Sequence, residues 1–305
     1  MQKNLKNDSV WLGYGLDLAH LLIDWKGHIK ESLDSFKQEV SHITAVAEKS
    51  SVVFNDDDEK IDNVVNIFFI VSLFYTKLSY LDFSLSTINK GIELMERICS
   101  EKRQAFNINN MTNNLLTAYL NRGSTYSLMA VYDKGIENFN KSINIGEHLL
   151  TEGKLVMEAE LAIAYMNRGI AYEFLNKNDK ALPDKTVAIE ILERLYNKGN
   201  LDDENNLALA YMNRGSTYMS MTRYDESLAD CNKSIEIWER MKSEGKIINE
   251  NDLAKAYTNK TMTISKIALE KNKKRLSKGG EAIYRKGMAK AMLNYNKKQP
   301  NGGKE

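Results

Sequence analysis

Four asparagines recur along the chain at a constant spacing of 46 residues: Asn121, Asn167, Asn213 and Asn259. Asparagine is a mediocre helix former, so helix stability alone does not explain its return inside a helical pattern. Each side-chain amide offers one acceptor and two donors, which can pair with the backbone of an extended peptide. The column therefore indicates a peptide-binding surface. The alternative is that the amides tie adjacent helices together or cap a local backbone group.

Small and apolar residues accompany these asparagines at helical spacing. Leu209 and the residues three, seven and ten positions after it lie on one side of a helix. The equivalent positions of the two preceding copies are also mostly small or apolar, and Glu173 is the one charged residue among them. The binding residues expected on this face besides the asparagines are Leu120, Met166, Ile170, Met212, Ser216 and Met219. Methionines adapt to varied partners, so the face suits an apolar or amphipathic protein segment. The alternative is that these residues only pack between helices.

The sequence contains no arrangement typical of catalysis or of cofactor binding. Its four histidines, His20, His28, His42 and His148, have no metal-ligand spacing with cysteines or carboxylates. There is no glycine-rich phosphate loop, serine-nucleophile motif or paired-acid cluster. We therefore expect a non-enzymatic protein with no catalytic residue, no metal and no cofactor.

The repeat itself predicts the elements that position these side chains, because a period of roughly 20–50 residues indicates stacked structural units. Each unit reads as two helices, the first carrying Tyr211 and Gly215 on one face and the second ending at Gly245. A glycine inside a helix costs about 1 kcal/mol, so its return at Gly123 and Gly169 predicts close approach of the second helix. The arginine before each glycine is expected to meet an acid on that helix.

The phrase AYLNRG or AYMNRG, followed by YDKG or YDES and then by SIEI, resembles the tetratricopeptide repeat family over about residues 64–269. The resemblance implies an all-α fold, a right-handed α–α superhelix of stacked helix-turn-helix repeats with asparagines on its concave face. Some members bind the C-terminal carboxylate of a partner through Lys and Arg on this face. This chain has Leu, Met, Ser and Ile at those positions, so a terminal carboxylate is disfavoured as its ligand.

This chain departs from the family pattern in two ways. Its repeat is longer than the family's usual period, and the closing proline is missing. Pro183 lies instead inside a second helix, with Lys185 nearby where the other copies have Phe139 and Cys231. Because an interior proline removes a helix hydrogen bond, an irregular helix is expected there.

Three regions are predicted: an N-terminal helical cap with a degenerate repeat at residues 1–60, a repeat solenoid at 61–269, and a basic C-terminal helix or tail at 270–305. From Lys260 to Glu305 the chain has thirteen Lys/Arg and three Asp/Glu. These cations can contact the phosphates of nucleic acid, but a solvated helix face, or a final helix that docks as a cap, is favoured. Residues 277–282, SKGGEA, are expected to form a loop.

Composition favours a cytoplasmic protein with no membrane partner. Cys99 and Cys231 have no paired spacing, which favours a reducing compartment. The longest apolar stretch, Val64 to Tyr75, is shorter than the roughly 20 residues of a spanning helix and is expected to form one buried helix. The function indicated is a scaffold that binds a protein or peptide. The alternatives are a regulatory or sensor arm that controls an associated enzyme or transcription factor, and nucleic-acid association through the tail.

Overall fold

The structure is a computed structural model that describes residues 44, 45, 47, 58–100 and 108–298. These residues form helices and the short connectors between them, with no strand among them. In chain order, the first helices are α1 (Asp58–Lys77), α2 (Leu81–Ser100), α3 (Ile108–Leu128), α4 (Tyr132–Thr151), α5 (Glu158–Phe174) and α6 (Asn178–Asn197). They are followed by α7 (Asn205–Ser220), α8 (Tyr224–Ser243) and α9 (Glu250–Lys298). The all-α prediction is confirmed.

The chain divides into two compact units, one up to Asn213 and one from Arg214 onward, and the boundary falls within α7. In the first unit each helix packs against the next one along the chain, from α1 through α6. The first helices of successive pairs also touch, α1 with α3 and α3 with α5. In the second unit α8 packs against α9. Helix pairs stacked in chain order are what the repeat predicted.

The connectors reverse the chain with left-handed residues at fixed places. Within each pair the connector has three residues, and the middle one has positive φ: Ser79 (63°), Ala130 (58°), Asn176 (57°) and Thr222 (59°). After α4, α6 and α8 a glycine adopts this conformation instead: Gly153 (66°), Gly199 (70°) and Gly245 (70°). The backbone N–H group that follows such a glycine donates a hydrogen bond to a carbonyl in the last turn of the helix. For example, Lys154 N lies 2.8 Å from Leu149 O. The predicted glycine stops are confirmed.

The glycine inside each first helix lies directly against the second helix of its pair. A Cβ added to Gly123 would lie 2.7 Å from the Phe139 ring, and one added to Gly169 would lie 2.9 Å from the stem of Lys185. A Cβ added to Gly215 would lie 3.3 Å from Cβ of Asp230. The absence of a side chain thus permits the close approach that the sequence predicted.

The apolar stretch from Val64 to Tyr75 lies within α1 and is largely buried, as expected. Val65, Phe68 and Val71 are among the residues of this stretch that belong to the core cluster shared with α2 and α3. Ile92 and Met95 of α2 belong to the same cluster. Burial of this continuous apolar surface is the main favourable term that holds these helices together.

One local prediction is wrong. Residues 277–282 are helical, because α9 runs as one helix of 49 residues through the boundary predicted at residue 270. Gly279 and Gly280 weaken that segment by about 1 kcal/mol each, but the lysine, arginine, leucine and alanine residues around them are good helix formers. At Pro183, where the sequence predicted an irregular helix, α6 is continuous, and the proline lies exposed in its second turn. The cap predicted for residues 1–60 falls outside the described residues, except at positions 44, 45, 47 and 58–60.

Candidate functional site

Arg122, Arg168 and Arg214, the arginines that precede the packing glycines, join the two helices of their pairs. Arg168 donates to both carboxylate oxygens of Asp184 at 2.7 Å, and Arg214 does the same to Asp230 at 2.7 and 2.9 Å. Such paired hydrogen bonds to a carboxylate are short and strong. Arg122 finds an amide instead and donates to Asn138 at 2.6 Å. The acid partner predicted on the second helix is confirmed for Arg168 and Arg214, but not for Arg122, whose partner there is Asn138.

A second column joins each pair to the one before it. The phenol groups of Tyr119, Tyr165 and Tyr211 donate to Glu96, Glu147 and Glu193, and Tyr257 donates to Glu239 at 3.1 Å. Burial first, and then the carboxylate acceptor, raise the pKa of Tyr119 and Tyr165 well above the ordinary value of 10.0. The 46-residue recurrence of both tyrosine and glutamate was visible in the sequence, but nothing in it showed that they meet.

Two asparagines of the predicted column tie neighbouring first helices together. Asn167 donates to Ser124 Oγ at 3.2 Å, and Asn259 donates to Ser216 Oγ at 3.1 Å. This is the structural alternative considered for the column. Asn213 cannot repeat the bond, because the preceding copy has Ile170 where the others have serine.

Asn121 differs from its counterparts. It is half-buried, and its amide makes no hydrogen bond to any residue within the described ranges. Its donors and acceptor are therefore not engaged by the described residues. Of the four asparagines, it is the one whose replacement best separates binding from stability.

An apolar pocket of about 410 Å³ opens beside Asn167, between α3, α4 and α5. We call it the Asn167 pocket; its lining is Ser124, Ser127, Leu128, Tyr132, Phe139, Asn167, Ile170, Ala171 and Phe174. Tyr132 and Phe174 stack face to face, with ring centroids 4.9 Å apart and planes 5° apart. Leu128 and Phe174 are nonetheless 62% and 63% exposed. Large apolar side chains left this open mark a surface suited to a partner.

The pocket contains only part of the face predicted from helical spacing. It brings together Asn167 and Ile170, whereas Leu120, Met166 and Met212 are buried in the helical packing. Ser216 and Met219 lie outside it and are half-buried, with Ser216 holding Asn259. The helical spacing missed Leu128, Tyr132 and Phe174, because they lie where helices end or begin. An exposed aromatic residue next to a connector was the one available signal.

Glu173, the single charged residue on the predicted face, pairs with a buried lysine of α6. Lys185 is 0% exposed and fills the position under Gly169, and its Nζ pairs with Glu173. The same Nζ donates to the backbone carbonyl of Asn213 at 3.1 Å. Burial lowers the pKa of Lys185 from its ordinary value, while the Glu173 carboxylate opposes that shift. The face beside the Asn167 pocket is therefore close to electrically neutral.

The described parts of the chain contain no cluster of His, Cys, Asp or Glu side chains that is able to hold a metal ion. Cys99 and Cys231 are free thiols, and Cys231 is buried. Across the same described parts, none of the helices combines the length and the apolar character that crossing a membrane requires.

Comparison with known proteins agrees with this architecture. A family profile described as the tetratricopeptide repeat matches residues 208–237. Among solved structures, BtubC (BKLC) from P. vanneervenii is similar with a TM-score of 0.59 and 16% identity, over 88% of this chain and 95% of that one. Aspartyl phosphate phosphatase F from Bacillus subtilis is similar with a TM-score of 0.59 and 16% identity, over 98% and 73%. The apo form of RapI gives 0.51 and 17%, over 67% and 50%. No curated protein sequence matches the chain.

The described fold is thus one of helix pairs stacked in chain order, similar to these solved structures. The resemblance to the tetratricopeptide repeat found in the sequence is confirmed by the profile match at residues 208–237. At identities of 16–17%, the similar structures show the fold and carry no information about the ligand.

Proposed function

We propose that this chain is a non-enzymatic scaffold that binds a protein or peptide segment, with an apolar side chain of that segment in the Asn167 pocket. The supporting observation is the pair of exposed residues, Leu128 and Phe174, at the edge of a cavity of about 410 Å³. A cavity of this size holds one or two large side chains, and burial of each is worth about 1.5–3 kcal/mol.

The polar groups of the pocket suit binding better than chemistry. Ser127 Oγ donates to the Gly123 carbonyl at 3.0 Å, and Ser124 Oγ accepts from Asn167. No histidine, carboxylate, lysine or arginine lines the pocket, so neither serine has a base to activate it. The half-buried amide of Asn121 is available on the preceding first helix. A partner backbone that crosses this face can use that amide while its apolar side chain enters the pocket.

The expected compartment is the cytoplasm, since a buried free thiol at Cys231 persists most readily under reducing conditions.

The test is to select binding peptides from a random 12-residue library on the full chain, and then to measure their affinity for variants. We expect Leu128→Ala and Phe174→Ala to weaken binding at least tenfold, and Asn121→Ala to weaken it with no change in melting temperature. Asn167→Ala should lower both binding and stability, because it also removes the tie to Ser124.

Val156→Ala is the matched control, because Val156 is 75% exposed and lies outside the Asn167 pocket. It should leave binding unchanged. Selected peptides that bind the two pocket variants as tightly as the wild type would refute the proposal.

A further inference from the structure

The part of α9 from Met262 to Lys290 carries a surface that the proposed function does not use. Every described side chain from Ala268 to Lys290 is exposed. Met262, Leu269, Leu276 and Ile283 project from it at intervals of seven residues and are 46%, 51%, 74% and 74% exposed. We call these four residues the seam.

Seven-residue spacing places the seam on one narrow side of the helix. Each step of seven falls about 20° short of two full turns, so the three steps from Met262 to Ile283 drift across only about 60°. At a rise of about 1.5 Å per residue, the seam extends over about 32 Å. Ser265, Asn272 and Gly279 lie between its members on the same side. Gly279 has open space around it, which allows another backbone to approach closely.

Cations flank the seam, and the acids lie away from it. Between residues 262 and 290 the chain has nine Lys/Arg and two Glu. On the regular helical wheel, Lys266 and Lys273 border one edge of the seam, and Arg275 and Lys286 border the other. Glu270 and Glu281 lie about 110° and about 130° from the middle of the seam, beyond Lys266 on that edge. The charged flanks thus match an occupant that is negative on both sides of an apolar stripe.

We propose that this segment of α9 pairs with an acidic amphipathic helix of another protein, with the seam as the contact line and the flanking cations facing Asp/Glu of the partner. Paired helices meet along two positions of each heptad, and the charges beside them set the choice of partner. The seam supplies one of these positions, and Ser265, Asn272 and Gly279 occupy the other. A second copy of this chain would place lysines against lysines in either orientation, so charge disfavours it.

The narrow seam favours a partner helix over a membrane surface or a nucleic acid. A helix that lies on a membrane buries a broad apolar face, wider than about 100°, whereas this stripe covers about 60°. Contact with nucleic-acid phosphates uses the cations and leaves four exposed apolar side chains without a function. A partner helix uses both the apolar stripe and the charges.

The probe for the test is a labelled 28-residue peptide of four heptads, with leucine at its a and d positions and glutamate at e and g. A matched peptide has lysine at e and g. Binding to the full chain is measured by fluorescence anisotropy at several salt concentrations. We expect the glutamate peptide to bind at least tenfold more tightly than the lysine peptide and to weaken as salt increases.

The variant Leu276→Ser/Ile283→Ser should reduce that affinity at least tenfold. Its control is Ile264→Ser/Met288→Ser, which removes two exposed apolar residues of the same helix that lie off the seam. The control should bind like the wild type, and circular dichroism should show equal helicity for all three proteins.

Vesicles rich in phosphatidylglycerol and a 30-nucleotide DNA are measured in parallel, and light scattering reports self-association. Equal binding of both peptides, or retention of binding by the seam variant, overturns the proposal. So does tighter binding of vesicles or DNA than of the glutamate peptide, or a dimer that depends on the seam. The seam shares no residue with the Asn167 pocket, so this result is independent of the pocket experiment.

Discussion

The helix pairs α3–α4 and α5–α6 differ in the side chain that lies against the packing glycine, which is apolar in the first pair and charged in the second. In both, a glycine of the first helix faces a fully buried side chain of the second, Phe139 under Gly123 and Lys185 under Gly169. The phenylalanine needs no partner, whereas the lysine carries a charge that Glu173 neutralises. At this position the repeat therefore accepts an apolar ring, and it also accepts a charged side chain when a counter-charge is within reach.

The largest effect is expected from separating the buried charges of the α5–α6 pair. Glu173→Gln should lower the free energy of unfolding by about 3 kcal/mol, because it leaves Lys185 buried without its counter-charge. Urea unfolding followed by circular dichroism measures the change.

Adding Lys185→Met to Glu173→Gln should recover most of that loss, since an apolar side chain then fills the same position, as Phe139 does in the α3–α4 pair. A double variant no more stable than Glu173→Gln would show that the charge pair is not the cause.

A smaller effect is expected at the packing glycines. Gly123→Ala should cost about 2 kcal/mol, because its Cβ would lie 2.7 Å from the rigid Phe139 ring and 3.1 Å from the Gly135 carbonyl. Gly215→Ala should be close to neutral, since its nearest neighbour would be 3.3 Å away and alanine gains about 1 kcal/mol of helix propensity. Equal losses of stability in the two variants would contradict the argument from close approach.

The smallest effect is expected from the tyrosine bonds that both pairs share. Because the folded-state pKa of Tyr165 is raised above 10.0, the folded chain holds more protons than the unfolded chain above that pH. Stability should therefore fall as pH rises beyond about 10, by at most about 1.4 kcal/mol per pH unit for this tyrosine. Tyr165→Phe should cost about 1 kcal/mol at pH 8 and make the loss above pH 10 shallower.

Urea unfolding of wild type and Tyr165→Phe from pH 8 to pH 11 checks this expectation. The pKa of Lys185 is lowered, so its own effect has the opposite sign below 10.5, but it is the same in both proteins and cancels in the difference. A difference between them that does not change with pH would refute the role assigned to the Tyr165–Glu147 bond.

Contacts within a helix pair could be predicted from the sequence. Gly123, Gly169 and Gly215 recur where a mid-helix glycine costs stability, which points to a steric need, and each does lie against the second helix. The arginines were expected to meet acids on that helix, and Arg168 and Arg214 do so. These contacts join residues 16 apart in one connected hairpin, so the helical period suffices to align them.

Contacts between helix pairs could not be predicted in the same way. Nothing in the repeat showed that Asn167 would bond Ser124, or that Tyr132 would stack on Phe174. The face inferred from spacing included Leu120, Met166 and Met212, which the structure buries. A straight helical wheel cannot distinguish a groove side from a packed side, because that depends on how closely the next pair lies.

The sequence by itself determined that this protein is built of helix pairs, where each pair turns and which glycines admit the neighbouring helix. These features follow from local backbone preferences and from a period that the chain repeats. The tertiary structure decided that Lys185 is neutralised by Glu173, that a pocket opens beside Asn167, and that α9 continues as an exposed helix. Those outcomes depend on distances between side chains far apart in the chain, which only the packing of one helix pair on another sets.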